Sequence, residues 1–163
     1  KGMQYRQCFN MTVKNSTASH MHSLLWATGG GAVIIDEVTI EDCESGVSFG
    51  TSSNCIVKGS TIKATEHGIR ADGSKPASLK IDNTSITAKK PVIVRYMTNE
   101  YNVEFAGQEN KFTAPEDGYQ VIFTNGADDA DYAIPTGKFN ITGGDTFKIY
   151  PEEVAQGRQH YVL

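Results

Sequence analysis

The chain has 163 residues, of which 39% are hydrophobic and 21% charged, a composition that fits one ordered domain and excludes a disordered segment. Its net charge of −4 disfavours nucleic acid as a partner, because a nucleic-acid surface needs clustered lysine and arginine. The chain also lacks an apolar stretch of the length that a transmembrane helix needs, so we expect no direct membrane insertion.

A short pattern of alternating apolar residues, a turn residue and a closing apolar residue recurs along the chain. Three clear copies occupy residues 33–40, 55–62 and 79–86, and their closing residues are Ile40, Ile62 and Ile86. The spacings are 62 − 40 = 22 and 86 − 62 = 24 residues. Strand-like alternation at such a period predicts a solenoid in which each repeat is one coil.

Weaker copies extend the pattern in both directions. Upstream, residues 8–13 match the repeat with Val13 in the position of Ile40. Downstream, residues 103–105 and 110–112 match after an insertion, and a last copy runs over residues 134–141. We therefore expect about six coils.

Each coil carries a second apolar strand, which precedes the next copy of the repeat. Alternation directs Val47 and Phe49 to one side of the chain, and likewise Ile69 and Ala71. We expect these side chains to stack into a continuous apolar column. The segments are 23–26, 46–49, 68–71, 91–94, 119–123 and 146–149.

The turn position of the repeat holds Asn10, Glu37, Gly59 and Asn83. Glycine and asparagine tolerate a positive φ, which a sharp bend between two strands often requires. Glu37 is the residue that fits this position poorly.

Three short strands per coil, about 22 residues around and one asparagine or glycine bend resemble the right-handed parallel β-helix family of pectate lyases, polygalacturonases and phage tailspikes. The resemblance implies an all-β solenoid over residues 1–150. Residues 151–163 break the pattern and are expected to form a C-terminal cap or a linker stub. Because the chain starts almost inside a strand pattern, we interpret it as part of a longer protein.

The sharpest candidate site is the run from His67 to Asp72. Arg70 points outward, and Asp72 aligns with Arg95 of the next coil, so the last two are expected to pair. A patch of His67, Arg70, Asp72 and Arg95 suits an acidic sugar, because arginine binds carboxylates and histidine moves protons near neutral pH. The alternative is a salt-bridged surface without a ligand.

The resemblance does not extend to a catalytic set. Polygalacturonases carry the motifs N-T-D, D-D, H-G and R-I-K in that order, whereas here only His67-Gly68 and the later pair Asp128-Asp129 are present. A pectate-lyase-like elimination would need a calcium-binding acid cluster, and the acids between Asp36 and Glu44 fall on different strands of the coil.

Other candidates for ligand binding lie on outward positions. A charged row of Lys14, Glu41 and Lys63 is expected on neighbouring coils, beside a row of Thr12, Thr39, Thr61, Ser85, Lys111 and Asn140. Trp26, the only tryptophan, suits a core or end-cap position, with a sugar-stacking platform as the alternative.

Two candidates for metal binding remain. Asp128, Asp129 and Asp131 carry oxygen ligands that suit Ca²⁺, although their spacing matches no EF-hand. His20 and His22 point to opposite sides of an extended strand, which disfavours joint ligation. We expect no cofactor, with Ca²⁺ as the only candidate ion.

Two classes of function fit these patterns, together with a third variant. The first is a non-catalytic module of a bacterial secreted or cell-surface protein that binds a polysaccharide or a surface protein. The second is a fragment of a polysaccharide lyase or glycoside hydrolase acting on an acidic polysaccharide. The third is an adhesin segment similar to a trimeric phage tailspike.

Overall fold

The computed structural model of the protein describes residues 2–73, 75–127 and 132–152, without the side chains of residues 8 and 9. Within these residues, thirteen strands form one sheet in which the pairings are parallel. The strands are β1 (Met3–Lys14), β2 (Thr17–Ser19), β3 (Ser23–Asp36), β4 (Thr39–Lys58), β5 (Thr61–Asp72), β6 (Ala77–Asp82), β7 (Ser85–Thr87), β8 (Lys90–Arg95), β9 (Tyr101–Ala106), β10 (Lys111–Thr113), β11 (Val121–Phe123), β12 (Phe139–Thr142) and β13 (Ile149–Tyr150).

The sheet winds into a β-solenoid of about five turns, close to the six coils expected. Each turn has three faces. The long strand β3 bends around one corner and serves two of them, and β4 bends around two corners and serves all three. We name the faces by their inward residues. Face 1 has Leu25, Val47, Ile69, Val92, Val121 and Ile149; face 2 has Met11, Val33, Cys55, Leu79, Val103 and Ile141; face 3 has Ala18, Ile40, Ile62, Ile86 and Phe112.

The inward columns form the core, as the alternation predicted. Val47, Ile69, Ile40 and Ile62 are fully buried, and Phe49 is almost fully buried. Each apolar side chain lies directly above an equivalent one in the preceding coil, because the register advances by one repeat per turn. Burial of such columns is the main driving force for folding.

The three clear copies of the repeat stack in the register that the sequence predicts. Val33 lies on Cys55 and Cys55 on Leu79, while Ile40 lies on Ile62 and Ile62 on Ile86. The second apolar strand is also confirmed, since Leu25, Val47, Ile69, Val92, Val121 and Ile149 follow one another in face 1.

The copies at 103–105 and 110–112 stack as predicted, with Val103 on Leu79 and Phe112 on Ile86, whereas the first and last copies take another register. Val13 stacks on Ile35, and the partner of Ile40 is Ala18, so the upstream copy is shifted by five residues. At the other end, Ile141 stacks on Val103 in face 2 and not in the column of Ile40. The physical reason for the shift of the upstream copy is that alanine is only weakly apolar, so Ala18 does not mark an inward position as clearly as Val13 does.

The bend between faces 2 and 3 has a positive φ in successive coils. Glu37, Gly59 and Asn83 have φ values of 54°, 54° and 44°, which confirms them as turn residues. The first coil uses Asn15, with a φ of 49°, where we expected Asn10. Asn10 instead lies within β1, where its Oδ1 accepts a hydrogen bond from the backbone N–H of Ala32.

A buried ladder of polar side chains supports this bend. Ser60 Oγ donates to the backbone carbonyl of Lys58 and accepts from the backbone N–H of Val38, at 2.8 and 3.1 Å. Thr84 and Asn110 continue the ladder, because the backbone N–H of Thr84 donates to Asn110 Oδ1. Backbone groups that the turn leaves without a strand partner are thereby satisfied.

Residues near the C-terminal end fill the solenoid with aromatic rings. Phe147 stacks on Phe112 with ring centroids 4.5 Å apart and meets Phe105 edge-on at 5.3 Å. Of the expected cap or linker at 151–163, the part from residue 153 onward lies outside the described residues.

Two cysteines of the described side chains, Cys43 and Cys55, are buried free thiols. Burial raises the pKa of the Cys55 thiol to about 12, which leaves it protonated and unreactive at neutral pH. Within the described ranges, the structure contains no helix long and apolar enough to cross a bilayer.

Candidate functional site

The outer surface of face 1 presents an aromatic ring to solvent. Trp26 lies on β3 and is 42% exposed, so the expectation of a core or end-cap position is wrong. It points outward because its neighbours Leu25 and Ala27 take the inward positions. Beside it lies a shallow depression of about 530 Å³, lined also by Gln4, Arg6, Gln7, Thr28, Gly29 and Thr51.

Arg70 occupies the same outward row two coils further on. Trp26 pairs in register with Ser48 of β4, and Ser48 with Arg70 of β5. Ser48 is only 5% exposed, whereas the larger side chains on either side of it reach solvent. Two coil spacings place the Trp26 and Arg70 backbones about 10 Å apart along the solenoid.

Asp72 and Arg95 form the ion pair that the sequence predicts. Asp72 Oδ1 accepts from Arg95 Nε at 3.0 Å and lies 2.9 Å from Nη2. The two side chains are only 23% and 12% exposed, and the guanidinium also lies 4.9 Å from the ring centroid of Tyr96. The two charges therefore neutralise each other, and the pair forms a rigid part of the outer surface of face 1.

His67 lies at the corner between faces 3 and 1 and is only 7% exposed. Its Nδ1 lies 3.5 Å from Ser45 Oγ. The two residues stack in register on successive coils. They line a cleft of about 430 Å³ together with His22, Glu44, Thr65, Glu66 and Arg70.

The cleft contains residues that the sequence interpretation did not assign to it. His22 Nδ1 lies 2.7 Å from Glu44 Oε2, and Glu66 Oε2 lies 3.5 Å from Lys89 Nζ. A signal was available, because residues 22, 44 and 66 are separated by the repeat period of 22. His20 also pairs across coils, with its Nε2 3.9 Å from Asp42 Oδ2, so the two histidines do not form a joint site.

The expected charged row of Lys14, Glu41 and Lys63 is only partly present. Lys63 Nζ lies 3.0 Å from Glu41 Oε1 on face 3, which confirms that pair. Lys14 instead lies at the edge of face 2, with its Nζ 3.1 Å from Asp36 Oδ2. This follows from the five-residue shift of the first coil, where Ser19 and not Lys14 stacks on Glu41.

The hydroxyl row has the same correction. Thr17 is the residue that stacks on Thr39, followed by Thr61, Ser85 and Lys111. Thr12 stacks on Ile34 and Asn140 on Asn102, so both belong to face 2.

Asp36 lies between two lysines on adjacent coils. Its Oδ2 is 3.1 Å from Lys14 Nζ and 3.3 Å from Lys58 Nζ, and its side chain is 11% exposed. The hydrogen bond from Lys14, followed by that from Lys58, lowers the pKa of the carboxyl group despite burial. The same hydrogen bond, which Lys14 donates to Asp36, raises the pKa of Lys14. These three charged side chains are therefore structural, because all of them are used in contacts between coils.

The candidate calcium ligands Asp128, Asp129 and Asp131 lie outside the described residues. Among residues 2–73, 75–127 and 132–152, no three His, Cys, Asp or Glu side chains are arranged to hold a metal ion. Asp36, Glu41 and Glu44 are indeed separated, because they pair with lysine or histidine on faces 2 and 3 and at the corner.

Comparison with known proteins agrees with this architecture. A family profile described as the right-handed beta helix region matches residues 1–111. The chain belongs to the right-handed β-helix family. No curated protein and no solved structure matches the chain. The family therefore accounts for the repeat and the winding of this β-helix, and says nothing of its ligand, because one fold hosts many functions.

Proposed function

We propose that this β-helix is a non-catalytic module of a secreted or cell-surface protein, and that it binds an acidic polysaccharide across the outer surface of face 1. The observation that supports the proposal is the placement of Trp26 and Arg70 in one outward row. An exposed tryptophan gives a sugar ring an apolar face to stack on, and arginine binds a carboxylate with two parallel hydrogen bonds.

Electrostatics and rigidity favour this surface. The Asp72–Arg95 pair compensates its own charge, Arg6 lines the depression beside Trp26, and Arg70 carries a second guanidinium in the outward row two coils further on. Trp26 and Arg70 lie on strands with neighbours on either side, so their backbones are fixed before a ligand arrives. A preformed site loses less conformational entropy on binding than a loop would.

The experiment uses the fluorescence of the only tryptophan in the chain as its signal. Polygalacturonate, alginate and hyaluronan are titrated into the wild type, which we expect to show a saturable change in Trp26 emission. Arg70→Ala is expected to weaken the affinity about tenfold, because a charged hydrogen bond is lost at the centre of the site. Lys58→Ala, which removes a cation from face 2, is the matched control and should leave the affinity unchanged.

Absence of binding to all three polysaccharides would overturn the proposal. Binding that responds equally to Arg70→Ala and Lys58→Ala would indicate attraction to any surface cation and would also contradict a site on face 1. Rising salt should weaken the genuine interaction, since the carboxylate and the guanidinium are screened.

A second function is favoured by the corner cleft. It brings His22, Glu44, Glu66, His67 and Arg70 to one depression, which is a richer set for proton transfer than the sequence indicated. In an eliminative cleavage, a base removes the proton next to the carboxylate of an acidic sugar, a carbon–carbon double bond forms, the glycosidic C–O bond breaks and the departing oxygen takes up a proton. Arg70 would bind the carboxylate and stabilise the charge that develops on it.

Degradation of the same three polysaccharides, with and without Ca²⁺, separates the two functions. If the wild type produces new unsaturated or reducing ends and His67→Ala does not, the protein is a lyase or hydrolase and the proposal of a non-catalytic module is wrong. Saturable binding without product would leave the non-catalytic module as the function.

A further inference from the structure

A row of three asparagines and one serine lies on the outer side of face 2, away from both the Trp26 surface and the corner cleft. In register on four successive coils, the row consists of Asn54, Ser78, Asn102 and Asn140. The four residues lie on β4, β6, β9 and β12. Neighbouring members are one strand spacing apart, about 4.8 Å.

Asparagine is not expected at these positions on structural grounds. It is depleted in strands, where β-branched and aromatic residues pack better. The turn asparagines Asn15 and Asn83 are explained by their positive φ, but Asn54, Asn102 and Asn140 are not among the residues with a positive φ. Residues that oppose the local preference of an element commonly mark a functional surface.

Two hydrogen bonds fix the row. Ser78 Oγ donates to Asn54 Oδ1, and Asn140 Nδ2 donates to Asn102 Oδ1, both at 2.8 Å. In each bond an exposed asparagine accepts through its carbonyl oxygen, and its NH₂ group carries two donors. The amides are therefore held in a defined orientation before any ligand is present.

The row lines a shallow groove of about 360 Å³ that carries no net charge. Its charged lining residues are Lys80 and Glu104, and Lys80 Nζ lies 2.8 Å from Glu104 Oε1. Ile56 and Thr142 contribute a half-buried apolar patch and a further hydroxyl group. A groove with a compensated ion pair and several amides favours a neutral ligand rich in hydroxyl groups.

We propose that this groove is a second binding site, which takes a neutral, extended β-1,4-linked glycan running along the solenoid axis. Sugar hydroxyls both donate and accept, as do the amides of Asn54 and Asn102, so the two sets are complementary. In an extended glycan of this linkage every second residue presents the same side, and Asn54 and Asn102 are two strand spacings apart, so they meet equivalent groups of the ligand. The proposal is independent of the acidic-polysaccharide site on face 1.

The competing explanation is that the row only stabilises the stack, as amide ladders do in other parallel sheets. Calorimetric titration of the wild type with cellohexaose and with mannohexaose tests this, followed by the double variant Asn54→Thr/Asn102→Thr. We expect one hexasaccharide to bind and the double variant to weaken it at least about tenfold, because two amide contacts are lost. Its melting temperature should stay equal or rise, since threonine favours strands.

The controls separate this site from face 1. Arg70→Ala should leave hexasaccharide binding unchanged, and the hexasaccharide should not alter Trp26 fluorescence, because the tryptophan lies on another face. The single variant Asn102→Thr serves if the double variant fails to fold. The proposal is overturned if neither hexasaccharide binds at millimolar concentration, or if the asparagine variants lower the melting temperature and leave the affinity unchanged.

Discussion

At the scale of single residues, Asp36 shows how the repeat converts sequence spacing into electrostatics. Lys14, Asp36 and Lys58 are separated by 22 residues each, and one carboxylate oxygen therefore lies within 3.3 Å of two ammonium groups. The side chains are on adjacent strands and pair across the coils without help from a loop. The same rule places His22 on Glu44 and Glu41 on Lys63.

We predict that Asp36 makes stability depend on pH in the acid range. The two lysines lower the pKa of the folded carboxyl group below its ordinary value of 3.8, so the unfolded chain binds the proton more readily. The contribution is therefore fully present above that value and is lost as the pH falls through the lower folded pKa. Urea unfolding of the wild type and of Asp36→Asn between acid and neutral pH measures it.

The Asp36→Asn variant should be less stable than the wild type at neutral pH, and the difference should shrink as the pH falls. A constant difference at every pH would show that the carboxylate charge contributes nothing. Glu104→Gln removes an acid from a more exposed pair and is the control for a general effect of net charge.

At the scale of elements, the bend between faces 2 and 3 has one residue that fits it poorly. Glu37 has a φ of 54°, as does Gly59 at the equivalent position in the next coil. A side chain with a Cβ atom is disfavoured there by about 1–2 kcal/mol. Glycine has no such penalty but loses more chain entropy on folding.

We therefore predict that Glu37→Gly raises the free energy of unfolding by about 1 kcal/mol, measured by urea denaturation. The reverse control is Gly59→Ala, where a Cβ would meet Glu37 Cγ at an ordinary 3.5 Å. There is thus room for the added Cβ atom. The free energy of unfolding is expected to fall by about 1 kcal/mol, and this loss reports the backbone conformation alone. If Glu37→Gly is less stable than the wild type, the glutamate side chain contributes more to the free energy of unfolding than its positive φ costs.

The inward column of face 3 gives a second prediction about an element. Ile62 is fully buried between Ile40 and Ile86, so Ile62→Ala leaves a cavity between two coils. We expect a loss of about 2–5 kcal/mol in the free energy of unfolding. Thr61→Ala, an exposed change on the same strand, should cost less than about 1 kcal/mol. Equal losses would contradict the inward and outward assignment.

At the scale of the whole molecule, the solenoid is nearly one-dimensional, because each coil contacts only its neighbours. Strands β3 and β4 have a partner strand on both sides, whereas β1 pairs with β3 alone among the described strands. Local opening should therefore be easier in the first coil than in the middle of the stack.

Amide hydrogen exchange followed by mass spectrometry checks this expectation. We predict that peptides from residues 33–62 exchange at least about tenfold more slowly than peptides from residues 3–14. Uniform protection along the chain would indicate a single cooperative unit.

The sequence predicted the fold well and the candidate site only in part. The copies ending at Ile40, Ile62 and Ile86 could be aligned because each carries the same strongly apolar positions at nearly constant spacing. The first coil could not, since Ala18 is a weak signal beside Val13, and that error moved Lys14 to the wrong row. The Asp72–Arg95 pair was predictable because it needs only the register of two clear coils.

The sequence by itself determined that this protein is a parallel β-helix, because alternation and period are local properties that every coil repeats. It also determined which residues pair across coils wherever the repeat is regular. Only the tertiary structure decided that Trp26 is exposed, that His22, Glu44 and Glu66 share a cleft with His67, and that the asparagines of face 2 form a row. Those features depend on which side of a corner a residue falls, and a corner shifts with a single inserted residue while the periodic pattern remains unchanged.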